Sequence, residues 1–191
     1  VTAMVPATAA PKTITTKLYG DNDIQCSWSN VPEATGYYVY YKKANTSKWI
    51  SKGATTENSM KFANLIRGTK YQFKVTPYKT LEDGDYPGYS KESKPIFTLK
   101  KVSKPTATKV SKNHVKIKWS GISGKTGYQI YKMKKTGGKY KKIASYKTTK
   151  NYKKIKAVKG KTFYYKVRAY KKVGNKTIYA PWSKVKSYKV K

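Results

Sequence analysis

The sequence contains one pattern twice. Trp28 and Trp119 stand 91 residues apart, and each ends a short run in which apolar and polar residues alternate. Downstream of each Trp the string Gly-Tyr-x-Val/Ile-Tyr appears, starting at Gly36 and again at Gly127. A period of about 90 residues is too long for one unit of a solenoid and matches a complete small domain. The sequence therefore predicts two small domains in tandem.

The alternation in both copies predicts strands, because residues two apart on a strand point to the same face of a sheet. The apolar sets are Ile24, Cys26 and Trp28 in the first copy and Val115, Ile117 and Trp119 in the second. Polar residues separate them, including Lys116 and Lys118 in the second copy. Short alternating runs between turn-rich stretches, without helical periodicity, predict an all-β chain in which each copy forms a two-sheet antiparallel sandwich.

This doubled pattern resembles that of the fibronectin type III family, whose fold is an immunoglobulin-like sandwich. The resemblance implies two consecutive seven-stranded antiparallel Greek-key sandwiches. The matching positions are Trp28, residues 36–41, residues 65–71 and Ser90 in the first copy, and Trp119, residues 127–131, residues 158–163 and Ser183 in the second. The resemblance covers residues 11–99 and 102–191, which we take as the two domains. Residues 1–10 remain as an interdomain linker or a processed tail; of these two readings, the linker is favoured because no basic segment precedes the small residues.

The resemblance also implies a tyrosine corner at Tyr71, whose hydroxyl is expected to bond back to the preceding loop. The second copy has Phe163 at this position and Ala157 where the first has Leu65. We therefore expect a less firmly held corner in the second domain, by about 1 kcal/mol for the missing hydrogen bond.

Charge divides the chain unevenly. All 8 acidic residues lie between Asp21 and Glu92, whereas residues 102–191 contain 28 Lys and Arg and no acid, within a net charge of +35. Such an asymmetry bears on partners and solubility and says nothing about the fold. It indicates either binding to polyanions or simply a solvated basic surface.

A candidate ligand-binding patch lies on the strand that starts at Phe163. Alternation places its polar and aromatic residues outward, next to outward Gln129 and Tyr131 on the neighbouring strand. The predicted patch consists of Tyr131, Tyr164, Lys166, Arg168, Tyr170, Lys171 and Lys172. Aromatic rings beside cations suit acidic sugars and other anionic polymers. The alternative is that these side chains only cover a solvated sheet.

A second set of charges predicts a contact between the domains. The family topology directs the first inter-strand loop, with Asp21 and Asp23, toward the next domain. A loop carrying Lys171, Lys172 and Lys176 is expected to face back. We expect a weak electrostatic contact, because exposed ion pairs are usually worth less than about 1 kcal/mol.

Residue types for catalysis or metal binding are scarce. The second copy has no carboxylate, and the chain has one cysteine, Cys26, and one histidine, His114. Cys26 replaces Ile117 in the apolar pattern and is interpreted as a small buried residue, with a reactive thiol as the alternative. Asp21 and Asp23 lack the further ligands of a calcium loop. We expect no enzyme activity, no cofactor and no metal site.

The Lys- and Tyr-rich style resembles modules repeated in surface and secreted proteins of Gram-positive bacteria. This resemblance implies an extracellular, secreted or wall-associated spacer and adhesion module that binds an anionic cell-wall polymer or acidic glycan. The alternative is a structural spacer that holds a catalytic or binding domain of a longer parent chain. A protein partner and further domains of the parent chain are the other partners left open. Nucleic acid is disfavoured as a ligand because no reading motif is present. No apolar run approaches the roughly 18 residues of a membrane span.

Overall fold

Strands form where the sequence alternates apolar and polar residues. From Ile24 to Trp28 the first, third and fifth side chains are buried, and the two between them are half-exposed. The corresponding segment of the second copy buries Val115, Ile117 and Trp119 and leaves Lys118 exposed. The predicted inward face of both copies is thereby confirmed.

A computed structural model describes residues 7–190. The chain divides into two units, of which unit 1 ends at Thr98 and unit 2 begins at Leu99. Every regular element within the described residues is a strand, which confirms the predicted all-β class. Over the same residues the structure contains no helix with the length and hydropathy needed to cross a membrane.

Unit 1 is built from two antiparallel sheets. Its strands are β1 (Ile14–Leu18), β2 (Ile24–Trp28), β3 (Gly36–Lys43), β4 (Ile50–Thr55), β5 (Ser59–Phe62), β6 (Lys70–Leu81), β7 (Gly84–Pro87), β8 (Lys91–Glu92) and β9 (Ile96–Phe97). One sheet has the order β1-β2-β5 and the other β4-β3-β6-β7, with β8 and β9 also paired to β6. The two sheets enclose an apolar core in which the rings of Phe62 and Phe73 lie 4.6 Å apart.

Unit 2 repeats this topology. Its strands are β10 (Thr106–Ser111), β11 (His114–Lys118), β12 (Gly127–Thr136), β13 (Lys139–Thr148), β14 (Tyr152–Lys156), β15 (Thr162–Val173), β16 (Lys176–Tyr179) and β17 (Lys186–Lys189). The sheet orders are β10-β11-β14 and β13-β12-β15-β16, with β17 also paired to β15. The predicted pair of antiparallel sandwiches is thus confirmed.

The strand number differs from seven per unit because the last strand is interrupted in both units. In unit 1 it is divided into β7, β8 and β9, with Pro87 and Pro95 at or near the breaks. In unit 2 it is divided into β16 and β17 around Pro181. Proline has no N–H to donate to a ladder, so pairing stops at these positions.

The two cores share an indole packed edge-on against a tyrosine. Ring centroids of Trp28 and Tyr37 lie 5.4 Å apart, and those of Trp119 and Tyr128 lie 5.2 Å apart. The Tyr37 hydroxyl accepts a hydrogen bond from the backbone N–H of Val31 at 3.0 Å, and the Tyr128 hydroxyl accepts one from Ile122 at 2.8 Å. Each buried hydroxyl thus holds the loop that joins the two sheets.

The predicted tyrosine corner is present in unit 1. The Tyr71 hydroxyl accepts a hydrogen bond from the backbone N–H of Ile66 at 3.1 Å. Phe163 in unit 2 has no hydroxyl to make this bond.

The amino-terminal segment joins unit 1 before residue 11. Thr8 is buried, and its carbonyl accepts a hydrogen bond from the backbone N–H of Tyr89 at 2.9 Å. The packed part of unit 1 therefore includes a residue that the sequence analysis assigns to the linker or processed tail. Residues 1–6 of that segment lie outside the described residues.

Candidate functional site

The outward face of β15 in unit 2 is the candidate site. Tyr165, Val167 and Ala169 point inward and are buried, whereas Lys166 and Arg168 point outward and are half-exposed. Strand β12 lies beside β15 in a register that sets Tyr131 opposite Lys166 and Gln129 opposite Arg168. The structure therefore brings Tyr131, Lys166 and Arg168 of the predicted patch together on one sheet.

Two aromatic residues that the sequence analysis did not include complete this face. The Trp182 ring lies 4.3 Å from the Tyr131 ring, and the Lys166 ammonium lies 4.6 Å from the Trp182 centroid. The Arg168 guanidinium lies 4.3 Å from the Trp182 centroid and 3.8 Å from that of Tyr179. We call these five residues the cation–aromatic ladder: Tyr131, Lys166, Arg168, Tyr179 and Trp182.

Neighbouring polar groups fix the ladder. The Arg168 Nε donates a hydrogen bond of 2.9 Å to the Gln129 Oε1. The Lys142 ammonium lies 5.0 Å from the Tyr131 centroid, so Tyr131 is approached by cations from β13 as well as β15. Gln129 is on the predicted face, yet only 9% of its surface is exposed, because Arg168 and Ser145 hydrogen-bond it. The rings of the ladder are thus occupied by cations of the protein itself.

Tyr170 is buried, which corrects the expectation that its ring lies exposed in the patch. Its part in ligand binding stays a prediction. Only 7% of its surface is exposed. It lies opposite Gly127 in the β12–β15 register, and a Cβ added at Gly127 would come within 2.8 Å of the Tyr170 hydroxyl. Tyr78 covers Gly36 in the same way in unit 1. The ring fills the space that a side chain would take at the paired glycine.

The remaining predicted patch residues lie away from the ladder. Tyr164 packs its ring 5.1 Å from that of Tyr140 toward the other end of β15. Lys171 and Lys172 lie in β15 and Lys176 begins β16, so these three are strand residues and do not sit in a loop as predicted. The Lys172 backbone N–H donates to the Thr126 Oγ1 at 2.9 Å, which ties this hairpin to the start of β12.

Two neighbouring cations of the ladder have lowered pKa values. Burial lowers the pKa of Lys166, and the neighbouring Arg168 lowers it further. Burial also lowers the pKa of Arg168. Residues 102–191 have no acidic side chain to balance these charges. An anion placed on this face would relieve the repulsion between the two cations.

The predicted interdomain carboxylates have partners inside unit 1. Asp21 forms an ion pair with Arg67, and the Asp23 Oδ1 accepts a hydrogen bond from the Asn64 backbone N–H at 2.9 Å. The contact of Asp21 and Asp23 with the lysines of unit 2 stays a prediction.

The described residues offer no assembled metal or thiol chemistry. Across residues 7–190 no group of three or more His, Cys, Asp or Glu side chains is placed to hold a metal. Cys26 is fully buried, and this burial raises its pKa to about 12, so its sulfur stays a protonated thiol at neutral pH. The interpretation of Cys26 as a small core residue is confirmed.

A family model described as Fibronectin type III domain matches residues 9–98. Unit 2 repeats the strand order of the matched unit. The two units are fibronectin type III-like domains. No curated protein matches the chain.

Solved structures of tandem domains are similar to the chain. The FN1–FN3 domains of chicken CNTN1 are 17% identical over 97% of this chain and 69% of that one, with a TM-score of 0.45. A segment of two fibronectin type III domains from chicken tenascin is 15% identical over 94% of this chain and 99% of that one, also with a TM-score of 0.45.

Proposed function

We propose that the chain is a non-catalytic spacer and adhesion module of a bacterial cell-surface or secreted protein, and that its second domain binds anionic wall polymers or acidic glycans. The observation that carries the proposal is the ladder, where Lys166 and Arg168 are held at half-exposed positions by Trp182 without any acidic residue in the domain. Fibronectin type III domains commonly serve as structural or adhesive modules, which is consistent with this role.

The expected mechanism is charge neutralisation with little selectivity for the sugar. The protein's own cations cover the rings of the ladder, so the ligand meets ammonium and guanidinium groups before it meets an aromatic face. The exposed lysines Lys142 and Lys147 on β13 extend the positive field beside the ladder. Binding of this kind weakens steeply with salt.

Retention of the whole chain on an acidic polysaccharide resin tests the proposal. We expect retention at about 0.1 M salt and release toward about 1 M, where the Debye length falls from about 10 Å to about 3 Å. A double variant, Lys142→Gln with Lys147→Gln, removes two exposed cations from β13, beside the ladder strand β12. The control, Lys109→Gln with Lys112→Gln, removes two exposed cations at the opposite sheet.

The β13 variant should elute at clearly lower salt than the control. Equal shifts would show that only total charge matters and would remove the ladder from the binding site. Retention that is unchanged from low to high salt would contradict charge neutralisation altogether. Competition by DNA as effective as that by acidic glycan would replace the proposed ligand with nucleic acid.

A second candidate function is a spacer without a ligand of its own. The observation in its favour is that the ladder cations already stack on rings, which lets these residues serve the stability of the sheet alone. This candidate predicts no retention of the chain on any polyanion at about 0.15 M salt, where charges about 8 Å apart are already screened.

A further inference from the structure

Unit 2 contains a pocket at the corner where unit 1 has the buried side chain of Leu65. A cavity of about 290 Å³ is bounded by the turn before β11, the end of β14 and the chain that follows it. Its lining residues are Asn113, Lys132, Lys156, Ala157 and Val158. Pockets that hold small molecules begin at about 300 Å³, so this corner pocket has room for a small ligand only.

The corner pocket arises from three replacements relative to unit 1. Lys132 lies opposite Tyr165 in the β12–β15 ladder, as Tyr41 lies opposite Phe73 in β3–β6. Tyr41 packs its ring against Phe62 and contributes to the core. An aromatic side chain in unit 1 is thus replaced by a lysine in unit 2.

The other two replacements remove volume and a hydroxyl. The Ala157 backbone N–H donates to the Asn113 carbonyl at 2.9 Å, which matches the bond from Leu65 to the Asn22 carbonyl at 3.0 Å. Ala157 therefore stands where unit 1 has the buried side chain of Leu65. Phe163 stands where unit 1 has Tyr71. Together the smaller side chains leave the space that forms the pocket.

Lys132 brings a buried positive charge to the pocket wall. Only 9% of its surface is exposed, and its ammonium lies 3.9 Å from the Phe163 ring centroid. The Nζ donates one hydrogen bond, of 2.6 Å, to the Lys156 carbonyl. An ammonium has three N–H donors, and a buried charge is costly unless it is paired. The burial lowers the pKa of Lys132, which is the expected effect of a charge without a counter-ion.

We propose that the corner pocket binds a small organic carboxylate. The carboxylate accepts hydrogen bonds from the Lys132 ammonium, and its short apolar body lies against Ala157 and Val158. A carboxylate supplies the opposite charge that the sequence of the domain lacks, and a hydrogen bond between two charged groups is stronger than one between neutral groups. The pocket is lined by residues outside the cation–aromatic ladder, so this site is separate from the proposed polymer-binding face.

Titration of the isotope-labelled whole chain with hexanoate tests this proposal by NMR. We expect saturable shifts of the Ala157 and Val158 methyl signals, and at least a tenfold weaker response to hexanol, which has the same chain without the charge. Hexanoate should also raise the titration midpoint of the Lys132 side chain, and the side-chain signals of exposed Lys154 should not shift.

Three variants distinguish hexanoate binding in the pocket from a general effect of positive charge. Ala157→Leu introduces the residue of unit 1 and should abolish the response with the fold intact. Lys132→Met keeps an unbranched stem without the charge and should weaken hexanoate binding at least tenfold. Lys154→Met removes an exposed lysine of the same strand region and should change nothing.

The proposal is overturned if hexanoate produces no saturable shift at Ala157 and Val158. It is also overturned if Lys132→Met binds hexanoate as the natural chain does. Equal shifts at exposed lysines throughout the domain would indicate a general surface effect and would likewise reject the pocket. None of these outcomes depends on polyanion retention, so the two proposals are tested separately.

Discussion

The corners of the two domains place different chemistry on the same backbone. Unit 1 closes its corner with Leu65, Tyr41 and the Tyr71 hydroxyl, which accepts a bond from Ile66. Unit 2 places a lysine ammonium over the ring of Phe163 and leaves a cavity beside it. The Phe163 ring and one backbone carbonyl are sufficient to hold a lysine ammonium where unit 1 has the aromatic Tyr41. The register of the strands therefore constrains the size of the side chain at this position more than its polarity.

The outer faces differ in a related way. In unit 1 the Lys74 ammonium lies 4.7 Å from the Tyr40 ring and 4.9 Å from that of Trp49, which precedes β4. In unit 2 the Lys166 ammonium contacts Tyr131 and Trp182, and Trp182 lies in the chain between β16 and β17. The tyrosine–lysine pair thus recurs in register, whereas the tryptophan comes from opposite edges of the sheet. The contact is retained although its sequence position is not.

The largest expected difference between the domains comes from one core hydroxyl. Tyr165 is fully buried and its hydroxyl has no hydrogen-bond partner, whereas Phe73 occupies the corresponding place in unit 1. An unpaired buried hydroxyl costs about 1–3 kcal/mol. We expect Phe73→Tyr to destabilise unit 1 by about this amount and Tyr165→Phe to stabilise unit 2 by up to the same amount.

Denaturant unfolding followed by a signal from each domain measures both changes. Tyr140→Phe is the control, because 48% of the Tyr140 surface is exposed and removal of its hydroxyl should leave stability unchanged. A loss of stability in Tyr165→Phe would show that the hydroxyl is satisfied and would remove this distinction between the cores.

A smaller effect is expected at the corner hydroxyl. Tyr71→Phe gives unit 1 the residue of unit 2 and leaves the Ile66 N–H without its acceptor, at a cost of about 1 kcal/mol. Phe163→Tyr is the matched reverse change, and it should stabilise unit 2 by at most the same amount. Thermal unfolding of the two variants measures the pair. A neutral Tyr71→Phe would mean that the corner bond does not distinguish the domains.

The alternation of apolar and polar residues is sufficient to predict the cores. It fails to predict burial where a polar residue stands at an inward-facing position of a strand. Trp28, Tyr37 and Cys26 stand at inward-facing positions of their strands, and all three are buried. Their side chains are apolar or small, so the residue type agrees with the position. Lys132 also falls on the inward parity, but a lysine there is ordinarily placed in solvent. Its burial depends on the Phe163 ring and the Lys156 carbonyl, which come together only in three dimensions.

The candidate site shows the same limit. Alternation along the regular strand β15 predicts that Lys166 and Arg168 face outward. Trp182 lies in the interrupted last strand, where the regular alternation of inward and outward side chains is broken. Its neighbour Ser183 is buried, which indicates that Trp182 faces outward. The burial of Tyr170 depends on the absence of a side chain at Gly127, which is a property of the paired strand.

The smallest expected effect is a difference between the domains in how their stability depends on pH. In unit 1 the Asp85 carboxylate accepts hydrogen bonds from the Thr80 and Tyr38 hydroxyls, at 2.7 and 2.6 Å. These bonds lower the pKa of Asp85 below its usual 3.8, so the folded state holds the proton less tightly than the unfolded state. The resulting stability is complete above the unfolded pKa and is lost as pH falls from about 4 through the folded pKa.

Residues 102–191 have no acidic side chain, so unit 2 should show no corresponding loss in acid. Thermal unfolding between about pH 5 and pH 2 spans the window in which carboxylates titrate. Unit 1 should lose stability across this range, and Asp85→Asn should reduce the slope, while the melting of unit 2 stays level. The effect is small because Asp85 is exposed and its partners are shared with water. Earlier melting of unit 2 in acid would contradict this expectation, because the loss of stability would then not depend on side-chain carboxylates of the melting domain.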